Sequence, residues 1–240
     1  MSRNLVTGGL GYMGTNLVRY LLNKGEEVVV FDIVNDSPLI QDIKDDIKIV
    51  QGHVGNWGEV LNVVHDNDVD CIYHLGAMIT VPAEANPWAA YDTNVICGPG
   101  RRKGLSAYPS LMIQESVNGK SVSLPVDKSS KLAFIYIKDV VNCLVKLKET
   151  DENKLKRRVY GIQGFSLSAG EMLEIVQKYV PNTNVKFLAD EKAVKLIKEM
   201  PAKVNDARAR EDWGWKAEYN FEEVVKDFIA EIKQNPSLYK

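Results

Sequence analysis

The chain has 240 residues, and 30 lysines and arginines against 32 aspartates and glutamates leave a net charge of −2. That balance excludes the basic stripe of a nucleic-acid binder and any electrostatic hold on a membrane, and no apolar run approaches the ~20 residues needed to span one. Cys71, Cys97 and Cys143 lie far apart without C-x-x-C spacing and read as free thiols of a reducing compartment, so a cytoplasmic protein is expected.

The first strand is read at residues 4–6, almost at the start of the chain. It runs into Thr7-Gly8-Gly9-Leu10-Gly11-Tyr12-Met13-Gly14. Residues 11–24 then place Met13, Leu17 and Leu21, with Val18 and Leu22 beside them, at helical spacing before Gly25 ends the helix. Residues 27–31 form an apolar strand with Asp32 at its end. A third strand is read at 47–50, a helix at 57–65 through Val60, Leu61, Val63 and Val64, and a fourth strand at 70–75 leading to Gly76-Ala77. This alternation predicts an α/β fold, a Rossmann-type parallel sheet with helices on both faces.

Farther along, helices are read at 106–118 and 137–147 and strands at 121–124, 134–136, 158–162 and 185–188. Residues 148–158 are charged and read as a surface loop. Ser168 caps the next helix, with Glu171 three residues on completing a capping box before Met172, Ile175, Val176 and Tyr179. Residues 221–232 form a closing amphipathic helix on Val224, Val225, Phe228 and Ile229. Residues 1–98 are read as the nucleotide-binding part and 99–240 as a small substrate lobe with elements returning to the sheet.

Gly9, Gly11 and Gly14 have the G-x-G-x-x-G spacing, in which one glycine makes the turn, one admits a phosphate to the backbone, and one lets helix pack on strand. Asp32 follows about 20 residues on, where a carboxylate holds ribose hydroxyls and repels a 2′-phosphate, so NAD is favoured over NADP. Ligands of such sheets lie beyond the carboxyl ends of the strands. The cofactor residues read from this are Gly8, Gly11, Tyr12, Met13, Gly14, Asp32, Ile33, Val54, Leu75, Gly76 and Ala77.

Thr7-Gly8-x-x-Gly11-x-x-Gly14, Asp32, His74-Leu75-Gly76-Ala77 and Asn86-Pro87 leading to Asn94-Val95 resemble the extended short-chain dehydrogenases/reductases, the NAD-dependent epimerase/dehydratase group. Gly98-Pro99-Gly100-Arg101-Arg102, the run from Phe134 to Val141, and Glu211-Asp212-Trp213-Gly214-Trp215 resemble that family's substrate half. The stretch from Ala207 to Trp215 also resembles the threonine dehydrogenase branch. The resemblance implies NAD contacts at His53 and Asn94 as well, hydride transfer on a small hydroxylated substrate such as a nucleotide sugar, and a homo-oligomer.

It also implies a Ser or Thr followed by Tyr-x-x-x-Lys, the tyrosine acting as general acid/base and the lysine lowering its pKa from about 10. Here Asn94-Val95-Ile96-Cys97-Gly98 passes directly to Pro99, where relatives run through a long helix, a strand, the catalytic helix and a further strand. The gap is on the order of 60 to 80 residues, about two β-α units, which predicts a shortened sheet. Its fourth strand would then stand at an edge, recruiting another chain, or pair with the segment around Val159. The one Tyr-x-x-x-Lys present, Tyr20 to Lys24, is an i, i+4 pair far along the first helix, so no catalytic residue is assigned.

Other departures refine the binding expectations. His53 stands where relatives commonly carry an aspartate that contacts adenine; an imidazole cannot accept the same hydrogen bond, and weaker adenine binding is expected. Leu132 stands where many nucleotide-sugar epimerases carry a diphosphate-binding arginine. Thr80, Arg101, Arg102 and Arg208 are candidates for the substrate, although the arginines, with Arg210, read equally as surface charge. His53, His65 and His74 show no metal-ligand spacing, and no metal is expected. Beside an enzyme, two alternatives stay open: a catalytically silent NAD-binding module, or an internally deleted form.

Overall fold

Residues 2–76, 95–102, 105–157 and 159–239 are described by the computed structural model of the protein. Contacts divide the chain into Met1–Thr93 and Asn94–Lys240.

The first unit contains β1 (Arg3–Thr7), α1 (Tyr12–Asn23), β2 (Glu27–Asp32), β3 (Lys48–Gln51), α2 (Trp57–His65) and β4 (Cys71–His74). The strands form a parallel sheet in the order β3-β2-β1-β4, with Leu5 in register between Val29 and Ile72, and Thr7 between Phe31 and His74. Side chains alternate across a strand, so Leu5, Val29 and Phe31 share one face and meet Val63, with Val60 and Val64, on α2. Val28 and Val30 take the opposite face, toward α1, whose Leu17, Val18 and Leu21 are buried. Burying each such side chain contributes about 1.5–3 kcal/mol, which fixes the register and hence the strand ends. Among the described residues β4 has no strand on its outer side.

The second unit contains β5 (Val95–Cys97), α3 (Tyr108–Val117), β6 (Val122–Leu124), β7 (Phe134–Tyr136), α4 (Ile137–Glu149), α5 (Ala169–Tyr179), β8 (Val185–Phe187), α6 (Glu191–Glu199), α7 (Ala207–Trp213) and α8 (Phe221–Gln234). β5 pairs in parallel with β7, and β6 with β8. An aromatic column builds the core: Tyr108 stands edge-on to Phe134 at 5.4 Å, Phe134 stacks on Phe165 at 5.8 Å, and Phe165 meets Phe221 at 5.2 Å. Capping boxes open both α5 (Ser168 with Glu171) and α8 (Asn220 with Glu223).

The strand expected at 158–162 is not formed by the described residues 159–162. Tyr160 instead stands edge-on to Trp213 at 5.9 Å, and its hydroxyl donates to Asp212 Oδ2 at 2.9 Å. Arg157 reaches the same oxygen at 2.5 Å. Burial pushes the Asp212 carboxyl up, but the Tyr160 hydroxyl and the Arg157 guanidinium outweigh it and hold the group below its ordinary value. Gly164 is pressed to 3.2 Å from the Ile135 backbone for a Cβ placed there, and Phe165 makes one antiparallel bridge to Phe134. Side-chain ties to α7 thus override the β propensity of Val-Tyr-Gly-Ile, and Val159 is left exposed.

Candidate dinucleotide site

The site begins with a tight turn between β1 and α1. Gly8 lies at φ +66°, where a side chain would be strained, and its N–H donates to Phe31 O on β2 at 2.8 Å. A Cβ there would come within 2.8 Å of Gly76 N, so the strand end of β4 lies directly against the turn. A Cβ at Gly14 would overlap the Gly8 carbonyl oxygen; only glycine lets α1 start this close to β1.

Gly11 is the cap residue of α1, with no side-chain cap and no acidic residue in the first turn. Gly11 is exposed, and a Cβ on it would meet only Gly8 O, at 3.1 Å. Among the described residues no side chain caps this positive end of the helix, whose first turn carries the backbone N–H groups of Tyr12 and Met13. That suits a pyrophosphate.

Asp32 completes the turn from the side. Its Oδ2 accepts from Leu10 N at 3.0 Å and its Oδ1 from Val34 N at 3.4 Å. Each oxygen keeps a lone pair for a ribose hydroxyl, so the residues present fit an adenosine-type ribose as well as the pyrophosphate. Ile33 follows with 64% of its surface exposed, and His53 and Val54 stand exposed just past β3.

The end of β4 is held by Thr7, which the sequence motif contains but to which sequence reasoning gave no role. Thr7 Oγ1 accepts from Leu75 N and from Gly76 N, both at 3.2 Å, and lies 2.7 Å from His74 Nδ1. With its lone pairs used, the hydroxyl has only its proton left for the histidine, so Thr7 donates to Nδ1 and the neutral ring carries its proton on Nε2. Thr7 thereby pins Gly76 to the glycine turn. The available signal was a threonine at the last strand position before the glycines.

Residues 5–98 match the family model described as GDP-mannose 4,6 dehydratase. An uncharacterized epimerase/dehydratase of Staphylococcus aureus (strain USA300) is 21% identical over 325 aligned positions, spanning 99% of both chains. These matches support kinship with the extended short-chain dehydrogenases/reductases, the NAD-dependent epimerase/dehydratase group.

Dehydrogenases and dehydratases extend the comparison. The mitochondrial L-threonine 3-dehydrogenase of Sus scrofa is 25% identical over 126 residues, 52% of this chain but 34% of that protein, so the chain spans about a third of the curated dehydrogenases it matches. In fold, the L-threonine 3-dehydrogenase of Trypanosoma brucei superposes with a TM-score of 0.85 at 22% identity, covering 100% of this chain and 98% of that one. The dTDP-glucose 4,6-dehydratase of Bacillus anthracis, solved in complex with NAD, gives 0.74 at 16% identity, covering 100% and 99%. Because 325 aligned positions with the staphylococcal epimerase/dehydratase face only 240 residues here, at least 85 of them lie opposite gaps in this chain.

The residues expected around the cofactor thus come together in the first unit, apart from Ala77 and Asn94, which lie outside the described residues, as does Thr80. The arginines expected at the substrate belong to the second unit. Arg102 Nη2 donates to Tyr239 O at 3.0 Å, and its Nη1 lies 3.7 Å from Glu115. Arg101 Nη2 donates to Ser106 Oγ at 2.9 Å. Both brace their own unit, whereas Arg208 is exposed on α7. Lys24 lies 5.5 Å over the Tyr20 ring, a cation–π pair in the last turns of α1. Among the described residues no group of His, Cys, Asp and Glu is arranged to hold a metal ion.

Proposed function

We propose that this chain binds NAD on its first unit and, as in its family, serves oxidation and reduction of a secondary alcohol on a small hydroxylated substrate. The observation that carries the reading is the uncapped N-terminus of α1 beside Asp32, whose carboxylate is aimed by Leu10 N. The turn supplies backbone N–H groups to the pyrophosphate. Asp32 accepts from the ribose hydroxyls and repels a 2′-phosphate, so NAD is taken over NADP. Thr7 holds Gly76 against Gly8, which keeps the β4 end free of side-chain bulk where a nucleotide lies. When bound, NAD supplies the hydride acceptor.

The likeness to L-threonine 3-dehydrogenases supports a hydroxy amino acid as substrate, and the GDP-mannose dehydratase model supports a nucleotide sugar. Titration calorimetry of the full chain with NAD and NADP tests the socket: tighter binding of NAD is expected, and no binding of either overturns the reading. NADH formation from L-threonine or from dTDP-glucose then tests the chemistry.

A second reading is favoured by one observation. At least 85 positions of the staphylococcal relative have no counterpart here, and the one Tyr-x-x-x-Lys in the sequence is the surface pair on α1. The sheet is then shorter than in relatives and the chain a silent NAD-binding module, which binds NAD but yields no NADH with any such substrate. A cytoplasmic setting accords with buried thiols at Cys97 and Cys143, both pushed up to about 12 by burial and so inert. No helix among the described residues is long and apolar enough to cross a membrane.

A further inference from the structure

In the second unit three side chains meet on one backbone oxygen. Arg102 Nη2 donates to Tyr239 O at 3.0 Å, Asn118 Nδ2 at 3.1 Å and Gln114 Nε2 at 3.3 Å. The donors come from two places, the turn after β5 and the C-terminal end of α3, so the fold and not local spacing brings them together. Gln114 is fully buried, and its amide is fixed from both ends because its Oε1 accepts from Gly100 N at 3.0 Å. The oxygen they share belongs to a short strap, residues 235–239. Leu238 N donates to Asn235 O at 3.1 Å within it, and the Tyr239 hydroxyl donates to Glu231 Oε1 at 2.9 Å.

A carbonyl oxygen has two lone pairs, so three donors overfill it. One of the three is a guanidinium, whose full charge a neutral carbonyl leaves unmatched. Glu115 Oε1 lies 3.7 Å from Arg102 Nη1, but the same carboxylate stands 4.0 Å from Lys120 and divides its charge between them. The negative end of α3 is beside the three donors as well. Its carbonyls at Gln114, Ser116 and Glu115 are taken by the N–H groups of Asn118, Gly119 and Lys120 at 3.1, 3.0 and 2.8 Å, so little of that end is left to oppose an anion.

We propose that Arg102, Gln114 and Asn118 form a capture site for a small carboxylate, in which the Tyr239 carbonyl stands in for the ligand and is displaced by it. Two oxygens on one carbon offer about four lone-pair sites, enough for the guanidinium and both amides, and they meet the Arg102 charge with an opposite one. The ligand is a monoanion, because the Glu115 carboxylate beside Arg102 repels a second negative charge. Strap and carboxylate compete for the same three donors. Binding therefore frees residues 236–239, and whatever loosens the strap tightens the ligand by the same factor. All these residues belong to the second unit, so the site does not depend on the NAD reading.

Hydrogen exchange of residues 237–239 in the full chain, read by mass spectrometry in sodium acetate against sodium chloride at equal ionic strength, tests this. Acetate is expected to speed that exchange in the wild-type chain with a saturable midpoint. Tyr239→Phe removes the hydroxyl that Glu231 holds and none of the three donors. Loss of one such hydrogen bond is worth about threefold to tenfold, so the acetate midpoint of this variant should fall by up to that factor. Arg102→Met and Arg102→Gln take a charged partner from the carboxylate but a single hydrogen bond from the carbonyl, so in each the midpoint should rise at least about threefold. Circular dichroism checks that the variants are folded, and either Arg102 variant serves if the other is not. Exchange that is the same in acetate and chloride for both wild type and Tyr239→Phe overturns the site, as does a midpoint unchanged by loss of Arg102. Sodium phosphate acting at a lower concentration than acetate overturns the assignment to a monocarboxylate.

Discussion

The backbone N–H of Leu10 donates to Asp32 Oδ2 at 3.0 Å, which ties the glycine turn to the acidic end of β2 as one piece. The carboxylate is thereby aimed before any ligand arrives. Asp32→Ala should weaken NAD binding about tenfold or more, since hydrogen bonds to a charged acceptor contribute about 1.5–3 kcal/mol each. NADP binding should change less, so the ratio of the two dissociation constants falls. Equal affinities of wild type and variant for NAD would remove Asp32 from the site.

Gly14 is where α1 lies closest to β1. In Gly14→Ala the new methyl overlaps Gly8 O and lies 2.5 Å from Gly9 Cα, so either the helix start or the turn must move. Overpacking of this kind costs about 1–3 kcal/mol. Urea unfolding should show that loss together with loss of NAD binding. Gly58→Ala is the matched comparison: its Cβ would meet Asn56 Oδ1 at an ordinary 3.4 Å, and little change is expected.

Those two residues belong to the part of the fold that is legible locally. The glycine run, the apolar strands and Asp32 act on near neighbours, so their spacing reveals β1, α1 and β2 within a residue or two. The capping box at Ser168 and Glu171 is local too. α6 escaped because its first turn is fixed by Asp190 accepting from Ala193 N, while five charged residues among its nine mask the Ile197 side that is buried. β5 is three residues long and exists through its pairing with β7, which lies some forty residues onward. The segment after residue 158 has strand composition, yet its fate is decided by Asp212 and Trp213, more than fifty residues away. Arg102 looked available for a substrate because Tyr239, its acceptor, is 137 residues distant. In the site itself, the sequence names Thr7 but not the direction of its hydrogen bonds, which depends on what the hydroxyl already accepts.

The outer edge of β4 carries a prediction about assembly. Ile72 is in register with Leu5, on the α2 side of the sheet, and is half exposed; Trp57 and Leu61, one turn apart on α2, are more exposed still. Among the described residues no strand pairs with the outer edge of β4, and such an edge flanked by apolar side chains favours pairing with a second copy. Sedimentation velocity should show a dimer or larger species, and Ile72→Lys should shift it toward monomer at the same concentration. A wild-type chain that sediments as a monomer at all concentrations tested would rule out this edge as a contact.

Asp139 supplies a test by pH that involves the second unit alone. It is fully buried on α4, and its Oδ1 and Oδ2 accept from Glu218 N at 2.8 Å and Tyr219 N at 3.3 Å, tying α4 to the segment before α8. Burial raises its pKa from 3.8 to about 6; the two backbone N–H groups lower it, but not enough to cancel the effect of burial. The folded chain thus binds this proton more tightly than the unfolded chain. The stabilisation is fully present below about pH 4 and disappears as the pH rises through about 6. A shift of two units corresponds to about 3 kcal/mol without screening, and solvent reduces this to about 1–2 kcal/mol. Several exposed carboxylates with lowered pKa values, Glu222 among them, act in the opposite direction, so the informative quantity is a difference. In Asp139→Asn that proton cannot be released, and the variant loses an acceptor for Tyr219 N at every pH. Urea unfolding between pH 4 and 7 should therefore show wild type losing about 1–2 kcal/mol relative to the variant as pH rises, and parallel profiles would show that the Asp139 carboxyl is not raised by burial.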